Sequence, residues 1–171
     1  MKTMTSVAAG TWTVDLGHTQ AAFTARHFFG QTVHGTITVT AGTIEVGTDG
    51  RPVRLHATLD PASIDTGHAR RDADLRGKRF LAVDAYPLME VVADRIAATA
   101  DGWHADAVLH GRGCEAPLCI RATLDSAATA PRLQLSGSAR LDLRDVGIRV
   151  PGFLVRRFVD VSVSTQATWQ A

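Results

Sequence analysis

Apolar and polar residues alternate one for one along most of this 171-residue chain. A period of two is what a strand with one buried face requires, and no helix presents it. The clearest run sets Val53, Leu55, Ala57 and Leu59 against Arg54, His56, Thr58 and Asp60. Trp12 and Val14 begin the same rhythm, Phe23 and Ala25 share a face with His27, and Val33, Ile37 and Val39 follow. Later runs centre on Ala105 and Leu109, on Leu118 and Ile120, on Leu133 and Leu135, and on Val159 to Trp169. Thr48-Asp49-Gly50, Ala100-Asp101-Gly102 and Ala130-Pro131 supply turns between them. The pattern predicts an all-β protein of eight or nine sequential antiparallel strands, closed as a barrel or stacked as a sandwich.

One long stretch, Asp60 to Pro87, breaks the rhythm. It holds a Thr66-Gly67 turn, a charged cluster from Arg70 to Arg76, and the apolar residues Leu75, Phe80, Leu81 and Val83. Ala69 to Phe80 is expected to form a short helix. An insertion of this length in a small β protein is commonly functional.

At these residues the chain resembles the YceI-like family. The matching motif runs through Asp60, Ser63-Ile64-Asp65-Thr66-Gly67, Arg71-Asp72, Leu75, Phe80 and Tyr86-Pro87. Gly10 to Asp15 with His18-Thr19, then Phe23, Val33-His34-Gly35, Arg112-Gly113, Pro117 and Asp145-Val146-Gly147, extend the likeness to the C-terminus. The resemblance implies a lipocalin-like antiparallel up-and-down β-barrel of about eight strands, with one short helix in the 60–87 insertion. It also implies a polyisoprenoid, an isoprenoid quinone or another long-chain lipid as ligand, and by analogy a possible homodimer. Asp74, Leu143 and Val146 depart from the family's usual residues, as do His34 and Thr36.

Composition sets outer bounds. The length suits one domain, expected over 10–171 behind a flexible 1–9. A formal net charge of +1 gives no overall reason to expect nucleic acid or an anionic membrane surface. No apolar run approaches the ~20 residues of a membrane-spanning helix. The opening MKTMTSVAAGTW lacks the apolar stretch of a secretory signal, so the chain as given reads as cytoplasmic. Cys114 and Cys119 are expected to be reduced and structural rather than a disulfide or a zinc pair. No metal site or cofactor is expected.

The function follows from what the apolar face encloses. Ala25, Ala57, Ala105, Ala107, Ala122, Gly137 and Ala139 are small where a packed interior favours larger side chains. They either leave an apolar tunnel or face large partners across the interior. A tunnel lined by Phe23, Ala25, His27, Val33 and Ile37 suits a long apolar chain. Leu75, Phe80 and Phe153 would form a greasy rim, and Arg70, Arg71 and Arg76 would offer donors to a headgroup. The Arg71-Asp72 pair has a competing role, tying the insertion to the barrel. These residues favour binding, sequestration or transport of an apolar ligand without turnover. The alternative is a cyclase or isomerase using the same cavity, with His27 or a loop acid moving the proton. Among the seven histidines, His18 is expected to bond Asp15, and His34, His56, His104 and His110 to lie on the outer face. No GxSxG, HExxH, P-loop or GxGxxG motif is present.

Overall fold

The structure is a computed structural model that describes residues 7–27, 30–125, 131–150 and 155–170. Eight antiparallel strands follow in chain order: β1 (Gly10–His27), β2 (Thr32–Val46), β3 (Pro52–Asp65), β4 (Met89–Ala98), β5 (Gly102–Gly111), β6 (Cys114–Leu124), β7 (Arg132–Asp142) and β8 (Val155–Gln170). Each pairs with the next, and β8 returns to β1, so the sheet closes as a barrel. The sandwich is thereby excluded. One helix, α1 (Ala69–Arg76), interrupts the strands between β3 and β4. Alternation resumes at Met89, and Tyr86-Pro87 stay outside the strand.

The alternating pattern carries directly into the register. Trp12 pairs with Trp169 and Phe23 with Val161 where the first and last strands meet. Ala107 faces Leu118 across β5 and β6. Cross-strand partners point to the same side of a sheet, so both residues of such an apolar pair face the interior while their polar neighbours along each strand face water.

Two ladders are short. Only Leu55 to Leu59 of β3 pair with β4, leaving the end of β3 bonded to β2 alone. Only Arg121 to Leu124 of β6 pair with β7. Both gaps open toward the same pole of the barrel, where the β1–β2, β3–β4, β5–β6 and β7–β8 connections lie. The segment 66–88 fills the first gap and the turn 143–150 fills the second. We call this end the flap pole.

Two packed clusters divide the interior. At the opposite pole Trp12, which is 1% exposed, packs with Val7, Val46, Leu133, Leu135 and Ala167. Trp12 Nε1 donates to the Ala8 carbonyl at 2.9 Å, and Trp169 Nε1 to the Ala9 carbonyl at 3.0 Å. Ordered packing therefore begins ahead of the boundary expected at Gly10. The second cluster joins Ala93, Ala105, Ala107, Leu109, Ala116 and Leu118 of β4–β6 to Val146 and Ile148 of the 143–150 turn. Phe80 and Leu81 of the insertion pack onto it.

Candidate functional site

The apolar rows of β1, β2, β3 and β8 nearest the flap pole lie outside both clusters. Phe23, Ala25, Val33, Ile37, Val39, Leu59 and Val161 share the inward face, yet each stays partly exposed. Ala21 and Val159, which pair into the same rows, are buried. Phe23 lies across Gly35: a Cβ added there would stand 2.3 Å from the ring's Cζ. Glycine at 35 is thus what lets the ring lie flat on the sheet.

The small residues split between their two readings. Ala105 and Ala107 are buried against larger neighbours, so on β5 they accommodate partners rather than leave a hollow. Ala25, Ala57, Ala122, Gly137 and Ala139 remain partly exposed. A groove of about 770 Å³ runs along β5–β8 and β1, but its lining is mostly the outward rows, Gln20, Ala22, Ser136, Ser138, Ser162 and Ser164 among them, so it lies against the outer wall rather than in the lumen. Gly137 is itself crowded, since an added Cβ would meet Val163 Cγ1 at 3.2 Å.

Polar and charged residues brace the insertion, and one of them binds it to the barrel. His68 caps α1, its Nδ1 accepting from the Arg71 backbone N–H at 3.3 Å. Asp72, buried at 6% exposure, accepts from the Thr66 N–H at 2.9 Å and from the Thr66 hydroxyl. That hydroxyl bond is the largest cause holding the Asp72 carboxyl below the usual carboxylate range, and the charges of Arg76 and Arg71 add to it. Arg71 donates from Nε to Thr66 Oγ1 at 2.8 Å and from Nη2 to the Thr66 carbonyl at 3.0 Å. Arg76 donates to the Ala62 and Ile64 carbonyls at 2.8 and 3.0 Å. Arg71 and Asp72 thus brace the insertion internally, through Thr66. It is Arg76, named only for a headgroup, that ties the insertion to β3.

Arg112 clamps the rim, a role that sequence reasoning missed. Its Nη1 donates to the Gly147 carbonyl and its Nη2 to the Lys78 carbonyl at 3.0 Å. One side chain thereby joins the β5–β6 turn, the 143–150 turn and the insertion. Gly147 sits at φ 71 with Arg112 Nη1 3.2 Å from where a Cβ would be, so both its backbone and its neighbour favour glycine. The Arg-Gly and Asp-Val-Gly landmarks were legible, but not their contact.

His27 is half-buried at the last position of β1, and Leu75 and Phe80 are partly buried on the insertion. Phe153 lies outside the described residues. His18 Nδ1 meets Asp15 Oδ2 at 2.7 Å, the bond expected of it. On the outer wall His56 Nε2 meets Glu90 Oε1 at 2.5 Å. Cys114 and Cys119 are both free, and their odd spacing along β6 sets them on opposite faces. Cys119 pairs with Asp106, and its thiol, the Asp106 carboxylate and the His104 ring lie within 4.8 Å of one another. These three donors could hold a metal ion, a grouping that linear spacing conceals.

The YceI-like domain model matches residues 12–167. The chain belongs to the YceI-like family. A UPF0312 protein of Pseudomonas savastanoi pv. phaseolicola is 28% identical over 173 residues, spanning 88% of this chain and 89% of that protein. The crystal structure of Burkholderia cenocepacia BcnA has the same fold, with a TM-score of 0.80 at 16% identity over 91% of this chain and 99% of that one. A domain of Saccharophagus degradans, described as polyisoprenoid binding and implicated in plant cell wall breakdown, has a TM-score of 0.67 at 12% identity, covering 93% and 98%. The YceI-like barrel described here contains no helix long and apolar enough to cross a membrane among its described residues.

Proposed function

We propose that the barrel binds one long, slender apolar ligand, an isoprenoid or similar long-chain lipid, through the flap pole and without turnover. The observation that carries this is the inward apolar surface of β1–β3 and β8, which neither packed cluster covers. Each CH2 moved from water onto such a surface is favourable by roughly 0.8 kcal/mol, so extended hydrocarbon gains most from it. Family membership and the polyisoprenoid-binding description of the Saccharophagus domain support the ligand class.

Phe23, Ala25, Val33 and Ile37 contact the chain, and His27 with Leu75 and Phe80 lies nearer the mouth. Arg71 and Arg76 hold the insertion in place, so a headgroup meets Arg70, which is exposed at the start of α1. An isoprenoid quinone fits this arrangement, its carbonyl oxygens accepting from a guanidinium. Sequestration or transport follows from binding without chemistry.

The test is mass spectrometry of an organic extract of freshly purified protein, with Ala25→Trp as a lumen plug. Wild type is expected to release an apolar lipid, and the plugged variant much less at an unchanged melting temperature. His27→Gln is expected to load normally. An empty wild-type extract, or equal loading of the plugged barrel, overturns the reading.

A further inference from the structure

A net charge of +1 conceals how the fold distributes its ionised groups. The described connections of the flap pole, 66–88, 112–113 and 143–150, hold eight Lys and Arg residues against four Asp. That pole carries a formal +4, leaving −3 for the rest of the chain. At the opposite pole the turns 47–51 and 99–101, with Asp125 and Arg132, hold three Asp against two Arg, a formal −1. Arg70, Lys78, Arg79, Arg144 and Arg149 are all exposed at the flap pole. Tyr86 and Leu88 on the same connection are 41% and 53% exposed. The Tyr86 ring lies over Gly113, where an added Cβ would come within 3.2 Å of Cε1, so this aromatic belongs to the rim itself.

We infer that the flap pole is a docking surface for an anionic lipid bilayer. Basic residues are drawn to a negatively charged leaflet within about one Debye length, roughly 8 Å at physiological ionic strength. An exposed tyrosine and leucine suit the boundary between headgroups and acyl chains, where an amphipathic ring has both environments it needs. The opposite pole carries the sign that such a surface repels, so the charge also orients the barrel. This purpose rests on the proposed lipid ligand: docking sets the flap pole, through which that ligand enters, against the phase in which it dissolves.

Vesicle flotation of the full chain tests it, using phosphatidylcholine alone and phosphatidylcholine mixed with phosphatidylglycerol. Wild type is expected to float with the anionic vesicles, to stay down with the neutral ones, and to be released by added salt. Lys78→Glu with Arg79→Glu is expected to weaken anionic binding by roughly tenfold or more, given the attraction of each basic residue to such a surface. Arg51→Glu with Arg132→Glu, at the other pole, is expected to leave it unchanged. No flotation, equal flotation on neutral vesicles, or equal loss from both charge reversals overturns the inference, and the first result would turn attention to an acidic protein partner. Lipid extracts of the same preparations keep the two readings apart. Protein that carries lipid but never floats overturns docking alone. Protein that floats but never carries lipid supports docking and overturns the ligand reading.

Discussion

Thr66 and Asp72 are the smallest unit on which the flap depends. The Thr66 hydroxyl accepts from Arg71 and donates to Asp72, so it mediates between two charged groups. Thr66→Val removes both bonds while keeping the shape. About 1–2 kcal/mol should be lost, from ~1 kcal/mol per net hydrogen bond, read as a lower melting temperature at neutral pH. The same contact has a pH signature. Asp72, Asp142 and Asp15 all have carboxyls held below the usual range, by bonds from Thr66, Arg157 and His18 respectively. The unfolded chain therefore takes up protons more readily than the folded one, and stability rises with pH across this range. Their contribution is complete above the ordinary carboxylate pKa of about 4 and is lost as pH falls through it toward the depressed values. Melting temperatures should be flat near neutrality and fall below about pH 4. Thr66→Val should blunt that acid-side fall, and an equal slope in the variant would count against Asp72 as a contributor.

Among the elements, the two short ladders matter more than the six long ones. A gap in a barrel wall exposes unpaired backbone and apolar side chains unless something covers it. The turn 143–150 covers one gap by burying Val146 and Ile148 against β4–β6. Ile148→Ala should cost about 2–5 kcal/mol by leaving a cavity there, measured by chemical denaturation. A cost near zero would mean that the turn rests on the wall without supporting it. The strands themselves were legible because period two is a local property, printed in every few residues. The gaps were not, since they depend on which strand outruns its neighbour. The carbonyl partners of Arg71, Arg76 and Arg112 were hidden for a related reason: a backbone oxygen leaves no mark in the sequence. Cys114 and Cys119 sit between these cases, because their odd spacing already placed them on opposite faces of any strand.

For the whole molecule, closure depends on the β1–β8 seam. Trp12 is buried at its far end, opposite Trp169 and bonded to Ala8. Trp12→Ala should cost about 3–5 kcal/mol and free two strand edges, which size-exclusion chromatography would read as aggregation. A monomeric, stable variant would show that closure rests elsewhere. Charge segregation also belongs to this scale, and a chain-wide sum erased it. Phe23 and its neighbours read correctly as inward-facing, whereas how much of the lumen is filled emerged only once β4–β6 and their covering turn were seen together.

Thr11 and Gln170 face each other across the β1–β8 ladder at the pole away from the flap. A reporter, tether or second domain spliced near either position would trail behind the barrel and leave its entrance clear. The same adjacency allows a short peptide to join the two ends and the chain to be reopened at the 47–51 turn, giving a permuted barrel with its insertion and clamp intact.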